Sequence, residues 1–582
     1  LAEEIGEGMR SDFDVEGKNK LQKAIYYMQY YGVSYTMKRA LRKFGVSIND
    51  ESEYMTWCRR NTASKVELKS QRKDSISKRL SFVIVSETGT NVEQSGWKKQ
   101  TCKQASFVTL TQGMTIADLL VGSAGEYFVF SGRNIKVRPE YLYELSLAVC
   151  GELTLHESRI HVGSLKQADL VYSDEDNWAD NKRFRPFFKP EASLQMLLNF
   201  PYLGRCFAVR RSLLETLAKS GEIVTLFGNG WYDLSLQAFR FAEHIKHIPK
   251  PLFSNVVPYE KRNMFVHSLN ENNEECLRHY LKSEKIAGAV KQSDVPGFYH
   301  LEYELAKEPM ISIIIPTKDH VEELKVCLDS LKKCNYSNYE VILAENNSEK
   351  KETFAFYKKV IKEDKRIRVL MWEGEFNYAA INNAAVDLAK GDLILCLNND
   401  TEFINPDALR ELAISAIKPN AGASGAMLYY GDKTIQHAGV IIGLGGFAAH
   451  ALWSLTDRDE KYYPFSLCER EVSAVTGACL MVQKSVYKEV GGMDEEFKVA
   501  LNDIDFCLKI RAAGYKILFN PYAKLYHYES KSRGYEDTDE KKERFQAEIK
   551  KLQTKWEQEI TAGDPFYNQN LTLHRADYSM DV

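Results

Sequence analysis

Leu395-Cys-Leu-Asn398-Asn399-Asp400-Thr-Glu-Phe-Ile-Asn-Pro406-Asp-Ala-Leu-Arg-Glu-Leu412 decides the fold, because the chain carries a second version of it. The earlier version is Phe128-Val-Phe-Ser-Gly-Arg133-Asn-Ile-Lys-Val-Arg-Pro139-Glu-Tyr-Leu-Tyr-Glu-Leu145. The two align without a gap as apolar strand, polar turn, proline and a helix ending in Glu-Leu. Repetition of this kind marks a duplicated structural unit. In this alignment Arg133 faces Asp400, so an anionic ligand has become a cation, and a site that held a divalent metal or a diphosphate would not survive that reversal unchanged. Such chemistry is expected in the second copy alone.

The repeat continues downstream. Cys206-Phe-Ala-Val209-Arg-Arg-Ser212 matches Cys479-Leu-Met-Val482-Gln-Lys-Ser485, and Trp231-Tyr-Asp233-Leu-Ser-Leu236 lies over Asp503-Ile-Asp505-Phe-Cys-Leu508. Pro249 lies over Pro521, and with a shift of one residue Ser254 lies over His527. Asp400, Asp503 and His527 therefore face Arg133, Trp231 and Ser254. Reactive side chains are lost together while the apolar frame is kept, which reads as a working domain beside a retired one.

At 582 residues the chain exceeds a single core, and about two to four domains are expected. A hydrophobic fraction of 44% and a charged fraction of 27% describe a soluble globular protein. The net charge of −3 gives no general attraction to nucleic acid, and no nucleic-acid partner is expected. Eleven cysteines without regular spacing, several inside apolar runs, read as reduced core residues of a cytosolic protein. No signal peptide is read at Leu1, and no apolar run approaches the roughly 20 residues that span a bilayer. A cytoplasmic location is expected, with the inner face of the cell membrane as its natural border.

Residues 1–79 follow helical spacing at Leu21, Ile25 and Met28 and carry the basic run Lys38-Arg39-Ala-Leu-Arg42-Lys43. This is a solvated helix, or alternatively one that touches an anionic membrane surface. Residues 80–262 hold the first copy, in which about twenty residues separate strands Phe82–Val85 and Ser106–Leu110. Roughly fifty separate Ile311–Ile315 and Ile367–Leu370 in the second copy, so the first lacks a strand–helix unit. Residues 263–307 read as a charged helical connector. Residues 308–535 alternate β-rich runs with amphipathic helices, the pattern of a mostly parallel sheet covered on both faces. In residues 536–582, Phe545, Ile549, Leu552, Trp556 and Ile560 form one helical stripe, expected to pack on the domain before it.

The second copy opens Ile313-Ile-Ile-Pro316-Thr317-Lys318-Asp319. Its next strand delivers Glu345-Asn346-Asn347-Ser348, followed by Phe376-Asn377-Tyr-Ala-Ala-Ile-Asn382-Asn383 and Leu397-Asn-Asn-Asp400-Thr-Glu402. Gln436-His-Ala-Gly-Val440, Thr476-Gly-Ala-Cys-Leu-Met481, Asn502-Asp-Ile-Asp505 and His527-Tyr-Glu-Ser-Lys-Ser-Arg-Gly534 complete the series, with Asp564-Pro-Phe-Tyr-Asn-Gln-Asn-Leu-Thr-Leu573 at the end. As an ordered set these segments resemble the family 2 glycosyltransferases. The similarity is greatest to bacterial enzymes of surface-polysaccharide assembly, including rhamnosyltransferases. The resemblance implies an α/β fold of two GT-A-like domains in tandem, the first degenerate. The first copy shares it through Val171-Tyr-Ser-Asp-Glu-Asp176 and Phe187-Phe-Lys-Pro190. There Asp174 and Asp176 are expected to cap the segment that follows rather than hold a metal.

The resemblance also implies roles. Pro316, Thr317, Asp319, Glu345, Asn377, Asn382, Asn398, Asn399 and Arg533 would bind the donor, with Glu345 at the nucleobase. Thr476, Gly477 and Asn502 would line the sugar and acceptor pocket. Asn398-Asn399-Asp400 stands at the family's Asp-x-Asp motif, where the change to Asn leaves Asp400 as the charged ligand, with His527 added. A hard cation, Mn²⁺ or Mg²⁺, suits these donors. Asp503 matches the catalytic base, while Asp505 reads as a helix N-terminal acid. The implied reaction is inverting, metal-dependent transfer of a hexose or deoxyhexose from a UDP- or dTDP-sugar to a lipid-linked or protein-linked glycan. A sugar nucleotidyltransferase would want a Gly-rich basic loop where Pro316-Thr-Lys-Asp319 stands. A non-catalytic carbohydrate-binding scaffold would have no use for Asp400, Asp503 and His527.

Overall fold

The computed structural model describes residues 51–88, 95–155, 158–161, 167–222, 224–227, 231–258, 273–457, 459–528 and 538–581, with scattered positions before residue 51. Leu21, the Lys38–Arg39 and Arg42–Lys43 pairs and Arg533 lie outside the described residues. The chain divides into two compact units. The amino-terminal unit is Asn49–Glu304 with Tyr567–Leu571 and Met580–Val582; the carboxyl-terminal unit includes Leu305–Phe566 and Thr572–Ser579. Among the described residues no helix is long and apolar enough to cross a membrane.

The amino-terminal sheet is built from β1 (Phe82–Glu87), β2 (Ala105–Leu110), β3 (Tyr127–Ser131), β4 (Ile135–Val137), β5 (Leu170–Ala179), β6 (Lys182–Phe187), β7 (Cys206–Arg210) and β8 (Ile245–Val256). Helix α1 (Tyr141–Cys150) follows β4, and α2 (Tyr232–Phe241) precedes β8. The strand order is β2-β1-β3-β7-β5-β8-β4, with β6 beside β5.

The carboxyl-terminal sheet uses β9 (Ile311–Thr317), β10 (Tyr339–Asn346), β11 (Ile367–Trp372), β12 (Leu393–Leu397), β13 (Thr401–Phe403), β14 (Ala421–Tyr429), β15 (Cys479–Gln483) and β16 (Lys516–His527). Its helices include α3 (Tyr378–Leu388), α4 (Ala408–Ala416), α5 (Asn502–Ala512) and α6 (Asp539–Lys555). The order is β11-β10-β9-β12-β15-β14-β16-β13. With β11 removed, this is the amino-terminal order element for element, and the parallel and antiparallel pairings coincide. Each sheet is mixed rather than mostly parallel, because β7 and β15 run against both neighbours. The strand lacking from the first sheet is the edge strand.

Burial explains the central run. Ile311, Ile313, Ile314 and Ile315 are buried on both faces of the sheet, and each such side chain contributes about 1.5–3 kcal/mol. Gly391 lets β12 enter beside β9: a Cβ there would lie 2.6 Å from Met310 O and Ser312 N. The charged connector is only partly helical. Helix Asn273–Ser283 gives way to a hairpin of Gly288–Gln292 and Tyr299–Tyr303, where Val290 is buried between exposed neighbours and Tyr299 and Leu301 are buried on either side of half-buried His300. A period of two wins there over charge composition.

Hydrogen bonds in the ladders correct the repeat by one residue. Val256 N–H donates to Asn134 O at 2.7 Å, as Tyr528 N–H donates to Asp400 O at 3.0 Å. Ile135 pairs with Asn255, as Thr401 pairs with His527. Asn134 and Asn255, not Arg133 and Ser254, therefore occupy the positions of Asp400 and His527. The link from β13 to α4 is one residue longer than the link from β4 to α1, so an alignment anchored on the helices is displaced at the strands. Trp231 keeps its place opposite Asp503, since both stand fourteen residues before matched ladder positions, Ile245 and Ile517.

Asp174 and Asp176 are not caps. They lie inside β5 with Glu175, all three buried, and each has protein partners. Asp174 meets His247 Nε2 at 2.8 Å and accepts from Asn568 Nδ2; Glu175 accepts from Lys189 Nζ at 2.7 Å; Asp176 accepts from Arg183 Nε and Tyr54 Oη, both at 2.5 Å. Ser254 and Arg138 complete the surroundings of Asp176. Asp176→Ala would leave two largely buried guanidinium groups without their carboxylate, and a loss of about 3–5 kcal/mol is expected. The chemical denaturation midpoint of the full chain checks this; a shift equivalent to under ~1 kcal/mol would show that the network does not hold the unit.

Candidate functional site

Three parallel strands, β9, β10 and β12, bring their carboxyl ends to one edge of the sheet, where open α/β sheets bind ligands. At the end of β12 the Asn398-Asn399-Asp400 turn is pinned by its own backbone. Asn398 N–H donates to Ala478 O at 3.0 Å, and Thr401 Oγ1 donates to Asn398 O at 2.8 Å. Asp400 is thereby held buried, with its Oδ1 3.2 Å from His527 Nε2. That oxygen makes no aligned hydrogen bond. Burial pushes the Asp400 carboxyl up, but a protonated His527, together with a backbone hydrogen bond and His320, more than offsets it, and the net effect is downward.

His527 enters from the end of β16 because the ladder sets it opposite Thr401. Its Nδ1–H donates to the side-chain oxygen of Gln436 at 2.8 Å. Gln436, buried on the short strand Ile435–His437, can accept there and so assigns the proton to Nδ1. Nε2 is left facing Asp400 and, at 3.2 Å, Asn398 Nδ2. The sequence quoted Gln436 in a motif, but nothing local to it indicated this contact, which spans 91 residues.

A carboxylate oxygen without an aligned hydrogen bond and an imidazole nitrogen 3.2 Å away suit one divalent cation. Two donors at that spacing can each lie about 2.1 Å from a shared octahedral ion. Among the described residues there is no group of three or more His, Cys, Asp or Glu side chains that could enclose a metal. The pair offers two ligands and leaves the remaining positions to oxygen atoms of a substrate or water.

Asp503 stands half-buried on the first turn of α5, after Leu501 at φ 60°. Its Oδ2 accepts from Gly477 N–H at 2.8 Å and its Oδ1 from Ile504 N–H at 2.9 Å. The next residue, Ala478, supplies the carbonyl that holds Asn398. Two successive residues, Gly477 and Ala478, therefore link Asp503 to the turn that carries Asp400. Tyr378 Oη donates to Gly477 O at 2.8 Å, and a Cβ on Gly477 would lie 3.1 Å from that hydroxyl. Thr476 bends the chain ahead of β15 by accepting from Ala478 and Cys479. Asn502 is buried, donating weakly to Phe497 O at 3.5 Å.

The remaining candidates divide. Thr317 and Glu345 are buried at the ends of β9 and β10 and pair with each other in the ladder; half-buried Pro316 precedes Thr317. Asn399 Nδ2 reaches Thr317 Oγ1 at 3.4 Å, which ties that end to the Asn398–Asp400 turn. Asp319 instead accepts from the amides of Glu349 and Lys350 and from Thr353 Oγ1, so it braces the start of the helix Lys351–Glu363 that follows β10. Asn377 caps α3 through Ala380 N–H and donates to Glu495 O, and Asn382 donates to Tyr378 O inside that helix. These three side chains are engaged in holding the fold. Asp505 differs from a simple helix N-terminal acid, since its carboxylate receives Trp556 Nε1 and Lys555 Nζ, both at 2.8 Å.

The family description "Glycosyl transferase family 2" matches residues 312–491. The chain is 36% identical over 420 residues to an uncharacterised protein of Sinorhizobium fredii, covering 71% of this chain and 46% of that protein. It is 33% identical over 463 residues to the O-antigen biosynthesis protein RfbC of Myxococcus xanthus, covering 78% of this chain and 34% of that protein. It thus spans less than half the length of either. An N-acetylglucosaminyl-diphospho-decaprenol L-rhamnosyltransferase of Mycobacterium tuberculosis is 25% identical over 248 residues, 39% of this chain and 77% of that enzyme. Among solved structures, a mannosyltransferase of Pyrobaculum calidifontis in complex with GDP-Man and Mn²⁺ aligns at 14% identity and a TM-score of 0.31, covering 42% of this chain and 65% of that one. The matched span contains Thr317, Glu345, the Asn398–Asp400 turn, Gln436 and Gly477. Residues 312–491 are a glycosyl transferase family 2 domain.

Proposed function

We propose that the carboxyl-terminal unit is an inverting, metal-dependent glycosyltransferase that moves a hexosyl or deoxyhexosyl group from a nucleotide diphosphate sugar to a growing glycan. The observation that carries this reading is that two successive residues, Gly477 and Ala478, bond the Asp503 carboxylate and the Asn398 amide, which opens the turn that carries Asp400 beside His527. Asp400 and His527 would hold a Mn²⁺ or Mg²⁺ ion, which when bound would supply positive charge to offset that of the diphosphate. Glu345 and Thr317, at the neighbouring strand ends, hold the nucleotide. Asp503 takes the proton of the acceptor hydroxyl as its oxygen attacks the sugar carbon, and the nucleoside diphosphate leaves from the opposite face. The acceptor is a lipid-linked saccharide or a glycoprotein, in keeping with the names of the relatives. The test is release of nucleoside diphosphate, with Mn²⁺ present, from a panel of UDP-, dTDP- and GDP-sugars. Failure of every member both to bind and to turn over would sink the reading.

The amino-terminal unit is read as a copy of the same fold that has lost its chemistry. Asn134, Asn255 and Trp231 stand where Asp400, His527 and Asp503 stand, and its edge strand is missing. Its buried acids are committed to ion pairs and hydrogen bonds within the unit. It serves as a scaffold or glycan-binding surface.

Gln436→Leu removes the acceptor that assigns the His527 proton. Mn²⁺ affinity is expected to fall by about 10–100-fold, while Gln436→Glu, which keeps an acceptor, loses far less. Titration of Mn²⁺ by electron paramagnetic resonance checks this; equal affinities in the leucine variant and the parent would remove Gln436 from the site.

A further inference from the structure

We propose that α6, which lies beyond the matched family span, belongs to the catalytic apparatus, and that Glu548 on it is a positioning residue for Asp503. The proposal rests on the assignment of Asp503 as the base. Glu548 is buried at 6% exposure, and its two carboxylate oxygens accept from two successive amides, Val499 N–H at 3.0 Å and Ala500 N–H at 3.1 Å. The next residue, Leu501, turns the chain into α5 at φ 60°, a conformation that an L side chain keeps only where the surroundings hold it. Asp503 follows two residues later. The carboxylate therefore grips the backbone immediately ahead of the base.

Other side chains of the same helical face grip the same segment. Lys551 Nζ meets Glu496 at 2.9 Å, and Lys555 Nζ meets Asp494 at 2.6 Å and Asp505 at 2.8 Å. Just past the helix end, Trp556 Nε1 donates to buried Asp505 at 2.8 Å. Positions 548, 551 and 555 recur at spacings of three and four, so they share one face; Ile549 and Leu552 on the same helix are also buried. Apolar packing alone would have fixed α6 in place. A buried carboxylate is costly unless it is well bonded, and this one is bonded where the approach of Asp503 is set. The Asp503 carboxylate itself is held by Gly477 N–H, so the base is fixed directly from the segment before β15 and indirectly, through Val499 and Ala500, from α6. A displacement of about 1 Å at such a group can cost on the order of 10²-fold in rate.

The experiment uses the full chain and three variants, Glu548→Ala, Glu548→Gln and Trp556→Phe. Nucleoside diphosphate release is measured with UDP-glucose, UDP-N-acetylglucosamine, GDP-mannose and dTDP-rhamnose. Amide hydrogen exchange is followed in parallel over residues 497–506 and over β9. The alanine variant is expected to lose about 10–100-fold in kcat with donor KM within about twofold, and the glutamine variant to lose less. Faster exchange should be confined to 497–506. Unchanged kcat in a folded alanine variant would overturn the proposal, as would a joint loss of kcat, donor affinity and thermal stability, which marks general support. If the alanine variant does not fold, the other two decide by the same criteria. The exchange measurement needs no donor, and parental exchange over 497–506 in all three is by itself an overturning result. Asp503→Asn is assayed alongside: parental turnover there would show that the base assignment had failed, whatever Glu548 does.

Discussion

Asp503→Asn is expected to lower turnover by about 10²-fold or more while leaving donor affinity within about twofold. The substitution keeps the volume of the side chain and an oxygen that can accept from Gly477 N–H or Ile504 N–H. What it removes is basicity. Because the donor and its metal are assigned to Asp400, His527, Thr317 and Glu345, loss of the proton acceptor should appear in kcat and not in binding. The product anomer of the parent should be opposite to that of the donor, and a retained configuration would end the single-displacement mechanism. Residual transfer in the variant cannot come from the amino-terminal unit if that unit is retired. Adding Asn134→Asp, which restores one carboxylate beside Asn255 and Trp231, should therefore leave Asp503→Asn equally inactive. Appreciable transfer by that double variant would make the amino-terminal unit catalytic.

Asp400→Ala is expected to abolish metal-dependent donor binding and to reduce turnover by about 10²–10³-fold, as excess chelator should in the parent. With His527 protonated, the Asp400 carboxyl is drawn down against the opposing effect of burial; a cation bound in place of that proton would favour the carboxylate in the same way. Without the carboxylate, His527 is left as a single ligand, and the negative charge of the leaving group loses its counter-charge. Calorimetric titration of UDP with and without Mn²⁺ separates metal-assisted from metal-free binding. Full activity in excess chelator would reject the metal assignment.

Much of the fold could be read before any coordinates because its signals are local. An apolar run such as Ile311–Ile315 can only be a buried strand, and the turn after Leu397 lies beside the helix that follows it. Duplication was legible for the same reason, since strand, turn and helix recur as a unit. Registers were not, because a strand is set by partners far away in the chain. Asn134 rather than Arg133 matches Asp400 through bonds to Val256 and Tyr528 that no alignment of adjacent residues contains. Asp174 and Asp176 read as caps until β5 placed them, with Glu175 between, beside His247, Arg183 and Lys189.

The sequence by itself determined the kinds of residue available for chemistry, Asp400 and His527 for a cation and Asp503 for a proton, together with the strand and helix starts that carry them. Only the tertiary structure decided how these side chains are oriented. Gln436 reaches His527 across 91 residues, Glu548 reaches Val499 across 49, and Gly477 reaches Asp503 across 26. A hydrogen bond depends on distance and angle in space, and chain proximity specifies those only for neighbours within a turn or two.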